Sequence, residues 1–181
     1  SKGKSINKKR KISNILKDQV IDGESKYDNK NENFVYERKD GLVIDLIDCA
    51  TGLKSFSLMQ ILYNNGFLDN KTLLIIDEPE VHLHPEWIVQ YARLIVMLHK
   101  ELNVNFLIGS HNPDMVMAIK YIAKKELGDK ENNPVNFYFA QASDKDKYKF
   151  NYKLNKTDIE PIFDSFNKSL DKINEYGATE E

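Results

Sequence analysis

The chain has 181 residues, of which 41% are hydrophobic and 30% are charged, so it can build one sizeable core. A single cysteine, Cys49, excludes an internal disulfide framework and favours a reducing compartment. No apolar run is long enough to span a bilayer, no secretory signal opens the chain, and the net charge of −2 gives no general case for nucleic acid, so we expect a cytoplasmic protein without a membrane partner.

The composition of residues 1–33 predicts a basic and polar segment, a tail followed by a loop, and this segment is expected to be partly disordered. Basic residues cluster before the first acidic one, Asp18: Lys2, Lys4, Lys8, Lys9, Arg10, Lys11 and Lys17. Such a cluster either follows the phosphate backbone of a nucleic acid or is a solvated tail. The Gly3-Lys4-Ser5 sequence lacks the upstream glycine and the preceding strand of a phosphate-binding loop, so we interpret it as a chance match.

Residues 34–175 predict a folded α/β domain, and residues 176–181 a short tail. Apolar segments Phe34–Arg38 and Leu42–Ile47 flank a Lys-Asp-Gly turn, which predicts a β-hairpin. Polar residues at 22–33 predict a loop before it.

A Thr-Gly pair, Thr51 and Gly52, comes directly before a predicted helix over Leu53–Asn64. A hydroxyl, a backbone that can be approached closely and free helix N–H groups together suit phosphate binding. Lys54 and Ser55 lie in the first turn and can face the same phosphate. The same residues also begin ordinary helices, and Lys54 is equally explained as a solvated side chain.

An apolar run, Leu73–Ile76, ends in two adjacent carboxylates, Asp77 and Glu78. The unbroken run predicts a strand buried on both faces, as in a parallel sheet covered by helices. At the carboxyl edge of such a sheet, one carboxylate can hold a Mg²⁺ shell while the other polarises a water molecule. An isolated acidic pair that ends a strand in a solvated turn is the competing interpretation.

A second apolar strand, Val104–Ile108, ends at Gly109-Ser110-His111 and is expected to bring His111 to the same edge. Between the two strands, a helix begins at Pro85 and places large apolar residues at core spacing: Trp87, Tyr91, Leu94, Ile95, Leu98 and Leu102.

Two loop histidines, His82 and His84, form an H-x-H pair of the kind that ligates zinc or manganese elsewhere. Two imidazoles make at most half of such a site. A loop pair without a bound metal is the alternative interpretation.

The C-terminal third predicts further elements of the same class. A helix is expected over Pro113–Lys125, an antiparallel strand pair over Val135–Ala140 and Tyr148–Tyr152, and a final helix opened by Thr157. The apolar stripe of the final helix is expected to pack on this domain or on a missing one.

Four segments in this order resemble the C-terminal half of soluble ABC-class P-loop ATPases. The similarity is to the branch that contains SMC proteins, DNA-repair ATPases and overcoming-lysogenization-defect (OLD) nucleases, and in particular to AAA-domain proteins of prokaryotic defence. The matching segments are Ala50–Ser55 for a divergent signature motif, Leu73–Glu78 for Walker B, Val81–Pro85 for the D-loop and Ser110-His111 for the switch histidine.

The resemblance implies a mainly parallel sheet flanked by helices, with an N-terminal β-hairpin, and it implies ATP and Mg²⁺ as ligands. It assigns the Mg²⁺ shell to Asp77, the general base to Glu78 and the γ-phosphate contact to His111. It also implies that a second ATPase head, in a homodimer, presents its nucleotide to a further set of residues: Thr51, Gly52, Lys54, Ser55 and His84.

No G-x-x-x-x-G-K-[ST] sequence occurs in the chain, although that loop normally wraps the phosphates. The resemblance therefore implies an N-terminal lobe that carries this Walker A motif and without which the chain is inactive. After residue 141 there is no acidic cluster like that of the Toprim nuclease in OLD proteins. The alternative function is a non-catalytic module that binds a partner ATPase or nucleic acid.

Overall fold

The computed structural model describes residues 12–13, 16–17, 21–128, 134–143, 146, 148–156 and 158–177. Most of the basic N-terminal cluster, the Gly3-Lys4-Ser5 sequence and Thr157 lie outside the described residues. The chain forms two compact units, Ser1–Ile122 and Ala123–Glu181, and the division falls within a helix. The domain limits expected at residues 33 and 175 stay a prediction.

The described elements confirm the α/β class, with a parallel sheet flanked by helices and an N-terminal antiparallel hairpin. None of the described helices is both long and apolar enough to cross a bilayer. In chain order the elements are β1 (Gly23–Asp28), β2 (Asn33–Arg38), β3 (Val43–Asp45), α1 (Thr51–Asn64), β4 (Leu73–Asp77), α2 (Pro85–Leu102), β5 (Asn105–Gly109), α3 (Pro113–Leu127), β6 (Phe137–Ala142), β7 (Phe150–Lys156) and α4 (Glu160–Gly177).

The first unit begins with an antiparallel sheet in the order β1-β2-β3. Its β2–β3 hairpin was predicted, and Gly41 supplies the left-handed turn residue at φ 90°. Strand β3 is shorter than predicted, because Leu46–Asp48 form a 3-10 turn that leads into α1.

The prediction of a loop over residues 22–33 is wrong, because Gly23–Asp28 forms β1 and pairs with β2. Helix α1 satisfies the polar groups of this strand. The Ser25 amide donates to Gln60 Oε1 at 2.5 Å, and the Ser25 hydroxyl donates to Ser57 Oγ at 2.7 Å. These partners allow a polar sequence to be buried as a strand.

A parallel pair, β4 and β5, lies beside the core of the first unit. On one face, alternate residues of the two strands pack against that core: Leu74, Ile76, Phe106 and Ile108. The ring of Phe56 in α1 lies 5.5 Å from that of Trp87 and 5.0 Å from that of Tyr91, both in α2. The predicted core face of α2 is thereby confirmed.

The other face of the parallel pair is open, which corrects the prediction of a strand buried on both faces. Leu73 is 57% exposed, Ile75 71% and Leu107 57%. Successive residues of a strand point to opposite faces, and the helices of this unit cover one of them. An unbroken apolar run predicts a strand with two apolar faces. The elements that pack on these two faces need not belong to the same unit.

In the second unit, β6 and β7 form an antiparallel pair. Both strands lie a few residues later than predicted, and Tyr148 is in the preceding turn. Helix α4 begins at Glu160, whose amide donates to Asp158 Oδ1 at 3.0 Å. No residue of α4 is fully buried: Ile162, Phe163 and Phe166 of its apolar stripe are half-buried, whereas Leu170 and Ile173 are exposed.

Candidate functional site

The site is built where β4 and β5 end together. Asp77 and Gly109 are paired in register as the last residues of the two strands. The chain turns sharply after Asp77, since Glu78 has a left-handed backbone at φ 46°. The Glu78 amide donates to the Gly109 carbonyl at 2.8 Å and extends the contact between strands by one residue. A left-handed non-glycine residue is costly and typical of functional turns.

The structure brings Glu78 and His111 together. Their side chains meet at 2.5 Å, between Glu78 Oε1 and His111 Nδ1. The exposed fractions are 43% for Glu78 and 73% for His111, so both groups are accessible to a ligand. A carboxylate in this position can accept a proton from water, and an imidazole beside it can contact an anionic group.

Asp77 lies on the open face of the sheet, at its carboxyl edge, and is exposed. Its Oδ1 would be 2.6 Å from a Cβ atom placed on Gly109, so the glycine leaves room for the carboxylate. Sequence reasoning identified Gly109 as the strand end but missed this packing role, which a glycine opposite an acidic strand end can signal.

The site suits Mg²⁺ held together with a nucleotide. No group of three or more His, Cys, Asp or Glu side chains among the described residues can hold a metal ion by itself. Mg²⁺ is usually bound by one or two carboxylates plus phosphate oxygens and water, and Asp77 is an exposed carboxylate at a sheet edge. The side chains present therefore fit the ion as a nucleotide complex. The two histidines of the H-x-H pair, His82 and His84, are among the described residues that form no such group.

Glu80 was missed by sequence reasoning. It is only 6% exposed and follows Pro79 in the loop after β4. The Ser110 hydroxyl donates to Glu80 Oε1 at 2.7 Å, which joins the loop after β4 to the loop after β5. A second glutamate in a Glu-Pro-Glu sequence carries no periodic signal of burial.

The predicted signature residues lie at the start of α1, which begins two residues earlier than predicted. Thr51 is exposed, and Ser55 Oγ donates back to the Thr51 carbonyl at 3.3 Å. The Lys54 ammonium donates to the Ile47 carbonyl at 2.5 Å. No described contact joins these residues to Glu78 or His111, and their phosphate-binding roles stay predictions.

Gly52 is buried against the loop between β4 and α2. A Cβ atom there would lie 3.0 Å from Leu83 Cδ2 and 3.2 Å from the His82 carbonyl oxygen. The close approach gives Gly52 a packing reason to be glycine, beside the phosphate-binding role expected from the sequence.

His84 caps helix α2, where its Nδ1 accepts a long hydrogen bond of 3.4 Å from the Glu86 amide. The neighbouring His82 has a left-handed backbone at φ 65°. The expected role of His84 at a partner's nucleotide stays a prediction.

Comparison with known proteins supports the resemblance read from the motifs. Residues 9–116, more than half of the chain, match a family model described as "AAA domain, putative AbiEii toxin, Type IV TA system". A comparison with curated proteins gives no significant match.

Structures of SMC proteins are among the solved structures that share the fold. One, described as "Structural biochemistry of ATP-driven dimerization and DNA stimulated activation of SMC ATPases", has a TM-score of 0.55 and 15% identity over 92% of this chain and 91% of the other. The second is the Smc head domain from Pyrococcus furiosus, with an extended coiled coil and bound to the C-terminal domain of ScpA. It has a TM-score of 0.55 and 12% identity, and the match covers 92% of this chain and 37% of the other.

Proposed function

We propose that this chain, which belongs to the AAA-domain family matched over residues 9–116, is the Walker B and switch-histidine lobe of a cytoplasmic P-loop ATPase that binds and hydrolyses ATP. The observation that carries the proposal is the 2.5 Å contact between Glu78 and His111, at the carboxyl edge of two parallel strands. This edge is where nucleotide-binding α/β sheets hold their ligands.

Each side chain at the edge has a distinct proposed task. Glu78 accepts the proton of the attacking water, and His111 contacts the γ-phosphate from the neighbouring loop. Asp77 holds the Mg²⁺ shell, and the ion when bound neutralises charge on the phosphate oxygens. The accessibility of Glu78 and His111 supports this assignment, since buried groups would not reach a nucleotide.

A second lobe is proposed to supply the phosphate loop. The chain contains no G-x-x-x-x-G-K-[ST] sequence, and the open face of the parallel pair exposes Leu73, Ile75 and Leu107 beside the proposed site. We name these three residues the open sheet face. An N-terminal lobe with Walker A that covered this face would bring its phosphate loop to the same edge. The chain alone is expected to be inactive.

A second head is proposed to complete the enzyme as a homodimer. In that assembly the signature residues and His84 contact the nucleotide of the opposite head. The description of one solved structure with this fold names ATP-driven dimerisation and DNA-stimulated activation of SMC ATPases. This supports the proposal by analogy. Binding of nucleic acid is proposed from the same analogy and from the basic N-terminal cluster. A role in antiphage defence is proposed from the toxin description of the family.

Substitution of the proposed general base tests the function. In the complete enzyme, assembled from this chain and the lobe with Walker A, Glu78→Gln should lower the rate of ATP hydrolysis about 100-fold or more, because an amide cannot accept the proton. ATP binding should stay within a few-fold of wild type. Glu86→Gln, an exposed change in the first turn of α2, is the matched control.

Hydrolysis that persists in Glu78→Gln would show that the base is assigned wrongly. A complete wild-type assembly that binds its partner but does not turn over ATP would favour the non-catalytic module.

A further inference from the structure

A buried carboxylate outside the proposed reaction stands out in the described residues. Glu80 is 6% exposed, and its Oε1 accepts the Ser110 hydroxyl at 2.7 Å. Its other oxygen, Oε2, is buried and has no hydrogen-bond partner in the described structure. A carboxylate buried in this way opposes folding, so a retained interaction should explain its position.

The partner of Glu80 organises the loop that carries His111. Ser110 Oγ also accepts the Asn112 amide at 3.2 Å. Asn112 Oδ1 in turn accepts the Asp114 amide at 2.8 Å and the Met115 amide at 3.2 Å, which caps α3. His111 therefore lies between two residues that are held by hydrogen bonds, while its own side chain is 73% exposed.

Glu80 is connected to Glu78 through a short loop. The Glu78 carbonyl accepts the Val81 amide at 3.1 Å, and the Glu80 carbonyl accepts the Leu83 amide at 2.9 Å. These turns fix the chain on both sides of Glu80. The Glu80–Ser110 hydrogen bond thus ties together the two loops that present the Glu78 and His111 side chains.

From this geometry we infer that Glu80 is a positioning residue for ATP hydrolysis, which acts through Ser110 to hold His111 beside Glu78. The inference rests on the proposed function, since it assigns a role within that same site. It requires an acceptor at Glu80 and a hydroxyl at Ser110, and it does not require Glu80 to touch the nucleotide.

Turnover of the complete enzyme tests the inference through a double-mutant cycle. Glu80→Ala and Ser110→Ala should each lower kcat about 10- to 100-fold, because a small misplacement of reacting groups has a large effect on rate. The KM for ATP should change less than about threefold, and the double variant should be no worse than either single one. Glu80→Gln keeps an acceptor and should restore kcat to within about threefold of wild type.

Glu175→Ala is the matched control, since Glu175 is exposed on α4 and should leave kcat unchanged. Wild-type kcat in Glu80→Ala, or additive losses in the double variant, would overturn the inference if Glu78→Gln is inactive. An active Glu78→Gln would instead overturn the proposed function.

Hydrogen exchange in this chain gives a second readout that does not depend on turnover. The Asn112 amide donates to Ser110 Oγ, so Ser110→Ala and Glu80→Ala should speed its exchange about tenfold or more, while amides of β4 stay protected. Unchanged exchange at Asn112 in both variants would contradict the positioning role. Exchange that also rises throughout β4 would show a structural role instead.

Discussion

Close packing at Gly52 fixes the relation between α1 and the loop after β4. The residue faces Leu83 and the His82 carbonyl, and His82 itself has a left-handed backbone. A loop that combines left-handed residues at Glu78 and His82 needs support from its surroundings to hold that shape. The start of α1 packs against the His82 end of this loop, so the predicted signature segment contacts the loop that begins at Glu78.

Gly52→Ala should therefore destabilise the first unit. The new methyl group would lie 3.0 Å from Leu83 Cδ2 and 3.2 Å from a backbone oxygen, which has little room to move. We expect a loss of about 1–3 kcal/mol in the free energy of unfolding, measured by urea denaturation. Gly177→Ala is the control, because nothing lies within 4 Å of its added Cβ. Equal stability of the two variants would contradict this account of Gly52.

At the scale of elements, the β2–β3 hairpin carries a local charge interaction that a titration can isolate. The guanidinium of Arg38 donates to both oxygens of Asp40, and the Leu42 amide donates to Oδ1 at 3.3 Å. These hydrogen bonds favour the ionised carboxylate and lower the pKa of Asp40 to about 2.

The carboxyl carbon of Asp40, followed by NMR, should titrate with a midpoint near pH 2, the lowered pKa of the folded state. Because that pKa is lowered, the contribution of the pair is complete above the ordinary aspartate pKa of about 4 and is lost as the pH falls towards 2. Arg38→Gln should move the midpoint up towards the ordinary range. The midpoint of Asp69 should not move, because its pKa is lowered mainly by the Lys71 amide. An Asp40 midpoint that ignores the substitution would exclude Arg38 as the cause.

The elements also show what could be predicted from the sequence. Strands β4 and β5, helix α2 and the meeting of Glu78 with His111 follow from apolar periodicity and from the edge rule for parallel strands. Strand β1 could not be predicted, since its polar Ser25 is buried through distant partners in α1. The burial of Glu80 depends on Ser110, thirty residues away, and leaves no local pattern.

At the scale of the whole molecule, the edge where we propose that nucleotide binds lies next to an uncovered apolar surface of the parallel strand pair. Contiguous apolar side chains on a sheet are usually covered by another element or by a partner. The open sheet face lies on the same two strands that end at Asp77 and Gly109. Covering this face and completing the nucleotide site are therefore expected to be one event, in which the lobe with Walker A binds.

Ile75→Lys should separate assembly from stability. Ile75 is 71% exposed, so a lysine there stays solvated and the unfolding midpoint of this chain should hardly change. In the assembly the same ammonium would be buried without a partner, which costs several kcal/mol and should weaken binding of the separately expressed Walker A lobe about 100-fold or more. Val89→Lys on α2, where Val89 is 45% exposed, is the matched control and should bind normally. The affinity of the Walker A lobe for each variant can be measured by calorimetry. Equal affinity for Ile75→Lys and wild type would mean that the lobe covers another surface. An equal loss of affinity in both lysine variants would point to a general effect of charge.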